Sequence, residues 1–406
     1  MKFDFDDFDI SSDLGFVSRN PAAFLPPSYD LWNNYAKNVG ILSTSGHLRR
    51  LIDQMPVLSV DPILANHKFL RLAHVQLSTL VSGYVWCDGE LGVPRYLPES
   101  LAIPFWKVCR ELGIEPGIAS HIGLALANYK LKDENGNVHL DNLELLYFKF
   151  LEDYGNDWFF LLTTQVELDF ADALPAILDI IRTEKLNNND VDRLSKNLKI
   201  VAQTIEKMER TLGRMRERLE PRMFFYGFRP YLAGTTSGLY EQWGGIVLKG
   251  IDSEPKKLIG GSAAQSSTLQ VLDGLLNVEH EKSVSKYFHE IRNYLLPKHR
   301  YFIEFVAQES HLHERILNNF RLNPELAENY NQCLSNLVKL RNRHIQTVTS
   351  FIINPQQKGQ ENGGNENLKN QNNKYETLND VGTGGTGFMH FLKSTRDSTA
   401  KKMIFY

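Results

Sequence analysis

The stretch ENYNQCLSNLVKLRNRHIQTVTSFII, residues 328–353, decides the fold class. Tyr330, Cys333/Leu334, Leu337, Leu340, Val348 and Ile352 recur at steps of three and four, the period of a helix with one apolar face. His344 takes a place on that same stripe. Outward from it, the pattern repeats. Asp190 to Leu219 carries Val191, Leu194, Leu198, Val201, Ile205, Met208, Leu212 and Met215 at the same steps. His67 to Trp86 places Leu70, Ala73/His74, Leu77, Leu80/Val81 and Tyr84 on one face, and residues 277–306 continue the theme. A helix is expected from near Leu101, and another over Gly117–Lys130. Trp158 to Arg182 reads as a helix broken or kinked at Pro175. Asp133–Gly136 is a turn signal. Strand-like alternation is scarce, with only Tyr231–Leu232 and Ile246–Leu248 able to pair. The chain reads as mainly α-helical.

Two segments interrupt the pattern. Residues 1–24 are polar and acidic and read as a loose arm. Residues 354–374 contain 7 Asn, 4 Gln, 3 Gly and 5 charges, with Leu368 as the one apolar side chain outside proline. Such a segment buries too little surface to offset chain entropy, so a disordered insert is expected. GTGGT, residues 382–386, follows it, either as a flexible linker or as a mobile cover over a site.

Composition excludes several functions. Lys plus Arg number 45 and Asp plus Glu 48, a net charge of -3 that leaves no basic footprint for nucleic acid or anionic membrane. Three cysteines in 406 residues make no disulfide scaffold and lack zinc-finger, CxxC or CxxCH spacing. No apolar run reaches the ~18 residues of a membrane span. The acidic start has the form of neither a secretory signal nor a mitochondrial presequence, so a cytoplasmic protein is expected. GxxxxGK[ST], G-x-G-x-x-G after a strand and G-x-S-x-G are absent. His289-Glu290 and His313-Glu314 begin an HExxH pattern without completing it, and His311-x-His313 is a weak metal spacing.

His344 has two readings. It is a core histidine bonded to a backbone carbonyl, or the ligand of a large planar cofactor lying against its helix. Neutral imidazole is the common protein ligand of haem iron. Arg229, inside RMFFYGFRPYLAG (222–234), needs an anionic partner, either a buried acid or a ligand carboxylate. LIGGSAAQSS (258–267) is a capped tight turn or a cradle for an anionic group.

Together these segments resemble the indoleamine 2,3-dioxygenase family, haem enzymes that open the indole ring of tryptophan. The likeness runs from about Leu25 to Lys393. It rests on LPPSYDLWNNYAK, GYVW, LPESLAIPF, ALANY, FFLL, FRPYLAG, IGGSAAQSS, LRNRHIQTVT and GTGGT, in that order. The resemblance implies a small N-terminal helical domain (25–150) capping a larger helical domain (151–406), with noncovalent haem b, ferrous when active, in the larger one. It implies His344 as proximal ligand and an Arg341–Asp273 pair fixing its helix. Phe159 and Phe224 would flank the indole, and Arg229 would hold the substrate carboxylate. Gly261, Ser262 and Ala263 would pass the substrate and a haem propionate. Thr383 of GTGGT would close on the amino acid.

Two departures stand out. Thr163 replaces a distal serine of the animal enzymes, and His121 replaces a Tyr lining the small-domain side, where an imidazole could approach the indole N–H. No side chain is expected to act as catalytic acid or base, because the chemistry belongs largely to the haem. The implied partners are L-tryptophan or a related indoleamine, O2 and an electron donor, with no nucleic acid or membrane, and the chain is expected to be a monomer. Another indole as substrate, or haem binding without turnover, are the competing readings.

Overall fold

The computed structural model describes residues 4–183, 188–361 and 388–405. Its helices, in chain order, are α1 (Asp30–Lys37), α2 (Val39–Thr44), α3 (Leu48–Asp53), α4 (His67–Trp86), α5 (Glu99–Glu111), α6 (His121–Leu124), α7 (Tyr154–Asp169), α8 (Leu174–Arg182) and α9 (Asn188–Gly213). They continue with α10 (Leu239–Trp243), α11 (Ser267–Leu275), α12 (Lys282–Ile291), α13 (Pro297–Glu309), α14 (Leu312–Asn319), α15 (Pro324–Val348), α16 (Asn354–Glu361) and α17 (Phe388–Lys401). Short strands β1 (Tyr96–Leu97) and β4 (Val247–Leu248) pair in parallel, and β2 (Tyr129–Leu131) and β3 (Leu143–Leu145) pair antiparallel. The fold is mainly α, as the periodicity predicts.

The deciding stretch lies in α15, which packs along α9. Leu194, Leu198, Val201, Ile205 and Met208 of α9 meet Tyr330, Cys333, Leu334 and Leu337 of α15, and all are buried. Polar groups lock the seam: the Asn336 amide donates to the Ala202 carbonyl at 2.8 Å, and Arg343 Nε meets Glu209 at 2.7 Å. Pro324 starts α15 at a position where the missing N–H costs nothing. Past Val348 the helix widens into a π-turn, Thr349–Ile353. Thr347, Thr349 and Ser350 each donate a hydroxyl to the carbonyl four residues back, a habit that bends helices.

α4 is buried on almost every side from Leu70 to Trp86, more than a one-faced pattern predicts. Its Gln76 amide N–H groups find partners in the interior, donating to Asn33 at 2.8 Å and to the Tyr147 hydroxyl at 2.9 Å. The Asn66 side chain caps its start.

Several expectations are corrected. The amino-terminal residues are not a loose arm. Phe8, Ile10, Leu14, Phe16 and Val17 are buried, with Phe8 against Phe302 at 5.0 Å and Phe16 edge-on to His299 at 4.9 Å. The acidic residues between them face outward and hide an apolar stripe. Gly117–Lys130 is not one helix. It gives only the short α6, and β2 begins at Tyr129, because Ile118 N–H bonds to Ile259 O at 2.8 Å and Tyr129 pairs with Leu145. The break near Pro175 falls earlier, in a tight turn at Phe170–Ala173, and Pro175 sits in the first turn of α8. Tyr231–Leu232 lies in a 3-10 turn, not a strand. Asn354–Glu361, the first part of the expected disordered insert, is helical, since extending an existing helix needs no new nucleus. The rest of the insert, and GTGGT with Thr383, lie outside the described residues.

Candidate active site

α7 places Phe159, Thr163 and Glu167 at successive steps of four, on one face. The helix is held by the Asp153 carboxylate, which accepts from Gly155 N–H at 2.6 Å. Thr163 gives its hydroxyl proton to the Phe159 carbonyl at 2.8 Å. Phe159 meets Phe224 at 5.2 Å and Phe228 at 5.4 Å, both in a π-helical turn, Met223–Phe228. Phe224 in turn meets Phe351, in the π-turn that extends α15, at 5.9 Å. An aromatic wall thus joins α7, the 223–228 turn and the end of the His344 helix.

Arg229 follows directly. It is 3% exposed, with its guanidinium over the Phe225 ring at 5.3 Å. Burial pushes its pKa down to about 10 against the charge of Glu90, so it stays cationic at neutral pH. Glu90, itself buried, is the acid in tertiary reach that local sequence around Arg229 does not contain. The segment after Arg229 is fixed by α4: Ser82 donates to Tyr231 O at 2.5 Å and the Trp86 indole to Ala233 O at 2.9 Å. Tyr231 stacks on Phe150 at 3.7 Å.

The 258–267 loop binds this segment to α6. Gly261 N–H donates to Leu232 O at 2.9 Å, and a Cβ at Gly261 would stand 2.6 Å from Ala119 O, so glycine is required there. The Ser262 hydroxyl accepts from Ala264 N–H at 3.2 Å, and Ala263 is exposed. Ser266 caps α11 through Leu269 N–H.

His121 does not stand alone. Its Nε2 lies 3.0 Å from Glu167 Oε1, and its backbone N–H donates to Gln265 Oε1 at 2.9 Å. Glu167 also accepts from the Ser266 and Thr268 hydroxyls, each at 2.6 Å. Burial alone would raise the Glu167 carboxyl. His121 and the two hydroxyls outweigh it and hold the group below its ordinary value. An imidazole–carboxylate pair therefore joins α6 to α7, although the sequence reading finds none.

On the other side, Arg341 Nη2 reaches both Asp273 oxygens, at 2.6 and 2.7 Å, and Nη1 donates to Thr395 O at 2.8 Å and to the Thr399 hydroxyl. His280 Nε2 adds a third contact to Asp273 at 2.9 Å. Burial would raise Asp273, but Arg341 and His280 hold it below its usual range. This knot ties α15 to α11 and α17. His344 stands one turn beyond Arg341 and is half-buried. Burial, helped by the Arg341 charge, pushes its pKa down to about 4, so the ring is neutral. Among the described residues its ring makes no hydrogen bond.

A neutral, unbonded imidazole could hold the iron of a bound haem. Among the described residues no three His, Cys, Asp or Glu side chains gather that could cage a bare ion. His289 and His311 are exposed, as surface histidines are.

Glu167, Glu90, Phe228, Phe351 and His280 are missing from the sequence reading. Glu167 had a weak signal: an acid four residues after Thr163, on the same helical face, in a helix that also carries Asp157 and Asp169. Glu90 had none, because only tertiary structure brings it to Arg229.

The family profile described as Indoleamine 2,3-dioxygenase matches residues 4–402. Mouse indoleamine 2,3-dioxygenase 1 (Mus musculus) is 34% identical over 98% of this chain and 95% of its own length. Human indoleamine 2,3-dioxygenase 2 (Homo sapiens) is also 34% identical, with the same coverages. A protein named myoglobin from the abalone Haliotis madaka is 32% identical over 97% of both chains. With the helical fold, the unbonded His344 and matches of this length on the page, the chain belongs to the indoleamine 2,3-dioxygenase family.

Proposed function

We propose that this chain is a haem b-dependent dioxygenase that opens the C2–C3 bond of L-tryptophan with O2 and gives N-formylkynurenine. The observation that carries the reading is a neutral, unbonded His344 joined through an aromatic wall to a buried arginine. Haem, when bound, supplies the redox chemistry that activates dioxygen. The chain's own residues do the rest. His344 would hold the iron from one side, and the Arg341–Asp273 knot would fix its helix. Phe159 and Phe224 offer edges and faces to a planar indole. Arg229 is desolvated more than Glu90 compensates, so a substrate carboxylate beside it would be favourable. Such clamping orients the substrate and makes the encounter effectively intramolecular. Both oxygen atoms end in the product, so a separate electron donor only primes the enzyme and none is consumed per turnover. On this reading Gly261, Ser262, Ala263 and Thr383 border the substrate, and the protein works as a cytoplasmic monomer.

A second reading, haem binding without turnover, draws on the abalone relatives named myoglobin. Reduced, haem-loaded protein incubated with L-tryptophan in air separates the two. Ring-opened product, followed by its absorbance, is expected. Haem bound with no product would favour the second reading.

A further inference from the structure

A cavity of about 420 Å³ lies beside the end of α15, where that helix meets the turn after α9. Neither His344 nor Val348 lines it, so it stands apart from the face proposed to meet haem. Its charged walls come from two elements: Arg216, in the 3-10 turn Arg214–Glu217 that follows α9, and Arg343 of α15. Met215, which is buried, and Ile345 add apolar surface, and Gln346 and Ser350 complete the helix side. Among the described residues no Asp or Glu lines it. Arg343 spends Nε on Glu209 at 2.7 Å and Nη1 on the Gln346 side-chain oxygen at 3.2 Å. Arg216 donates through Nη2 to the Ser350 hydroxyl, whose own hydrogen goes to the Gln346 carbonyl at 2.7 Å. A guanidinium carries five N–H donors. Arg343 Nη2 and Arg216 Nε and Nη1 therefore keep hydrogens for which the described residues provide no acceptor. Glu209 balances one of the two cations, and among the described residues Arg216 has no carboxylate at ion-pair distance.

We infer that this cavity binds a small phosphate monoester, whose head meets Arg216 and Arg343 and whose apolar body rests on Met215 and Ile345. Guanidinium forks match phosphate oxygens in pairs, and a phosphate offers three of them to donors arriving from two elements. The excess positive charge of the lining favours a dianion over a neutral ligand of the same shape. The volume falls within the ~300–1,000 Å³ of small-ligand sites, and a few charged groups beside apolar surface is their ordinary lining. The inference does not rest on the tryptophan reading: it needs only the residues that line the cavity.

The test follows the methionine methyl groups by carbon-13 NMR in the full chain as purified, reduced and saturated with carbon monoxide so that any haem is diamagnetic. Met215 lines the cavity, and Met215→Leu, a nearly volume-conserving change, identifies its signal among the seven methionines. Phenyl phosphate should move that signal to saturation at low millimolar concentrations or below. Inorganic phosphate, which lacks the apolar body, should need at least about tenfold more. Benzyl alcohol, a neutral relative, should leave the signal in place. Arg216→Gln and Arg343→Gln should each weaken phenyl phosphate by roughly tenfold, the worth of one charge-assisted hydrogen bond at a half-exposed site. Arg321→Gln removes the same charge from an exposed position before the other end of α15 and should change binding by less than about twofold, since that helix is longer than the ~10 Å over which salt screens exposed charges. Saturating L-tryptophan should not displace phenyl phosphate. No saturable movement of the Met215 signal in the parent, movement by benzyl alcohol as readily as by phenyl phosphate, displacement by tryptophan, or R216Q and R343Q variants that bind like the parent would overturn the inference. If the protein turns over no tryptophan while the Met215 signal still answers phenyl phosphate, the functional proposal falls and this inference stands. Turnover beside an unmoved signal gives the reverse.

Discussion

Single side chains carry the binding and orientation proposed here. His344 is neutral and unbonded, so His344→Ala should leave a folded chain that no longer retains haem, read as loss of the Soret band after purification. An unchanged band would mean that another residue holds the haem. The Thr163 hydroxyl already gives its proton to the Phe159 carbonyl, so it has none to offer a substrate without breaking that bond. Thr163→Ala should therefore keep kcat/KM within about tenfold, whereas a loss of several orders with haem intact would demand a required hydroxyl. Arg229→Ala should lower kcat/KM for L-tryptophan by roughly 30-fold to several thousand-fold, the range for truncating one partner of a buried charged contact. Indoles without the carboxylate should lose far less. Equal losses for both would mean that Arg229 serves Glu90 alone. At this scale the sequence was informative where a residue broke its local pattern. His344 interrupts an apolar stripe, and Arg229 interrupts an aromatic run. The His121–Glu167 pair was illegible because its members lie 46 positions apart, on helices whose packing no period predicts.

Among elements, the knot of Arg341, Asp273 and His280 fixes how α15 presents His344. Removing one partner of a buried ion pair leaves an uncompensated charge, commonly at a cost of about 3–5 kcal/mol. Asp273→Ala should lower the melting temperature by many degrees and reduce the haem retained. Unchanged stability and haem content would show that α9 alone positions α15. Asp273 also gives a pH signature. Its folded pKa is depressed below the unfolded value near ~3.9, so its stabilisation is present above that value and lost as pH falls through the folded one. The α9–α15 pair was legible from spacing, since a buried seam and a 3.6-residue period are the same fact. Residues 117–130 were not. Their apolar run suits a helix, but hydrogen bonds from Ile118 to Ile259 and from the Asn128 amide to Tyr147 O pull the backbone into extended pieces.

Over the whole molecule, acid should destabilise the protein through histidines buried as neutral rings. His74 and His299 are both pushed down to about 4 by burial, helped by the Arg71 charge. The unfolded chain protonates them near ~6.5, so as pH falls from there toward 4 it binds protons that the fold refuses, and each ring costs up to about 3 kcal/mol. His299→Gln keeps a donor for the Asp9 carbonyl and should flatten the fall of the urea midpoint between about pH 7 and about pH 5. An unchanged slope would assign the acid sensitivity to other groups. His299 also shows why the amino-terminal segment escaped the sequence reading: a stripe of Phe and Ile hidden among aspartates packs on α13, and composition averages it away. The account as a whole stands on one claim, that a haem held at His344 and a tryptophan held at Arg229 meet in productive geometry. Its most direct test is a turnover of the reduced, haem-loaded protein with L-tryptophan under 18O2, with the product analysed by mass spectrometry. The account predicts N-formylkynurenine carrying both labelled oxygen atoms. A stable haem protein that binds dioxygen and leaves tryptophan intact, or a product with a single label from the gas, would contradict it.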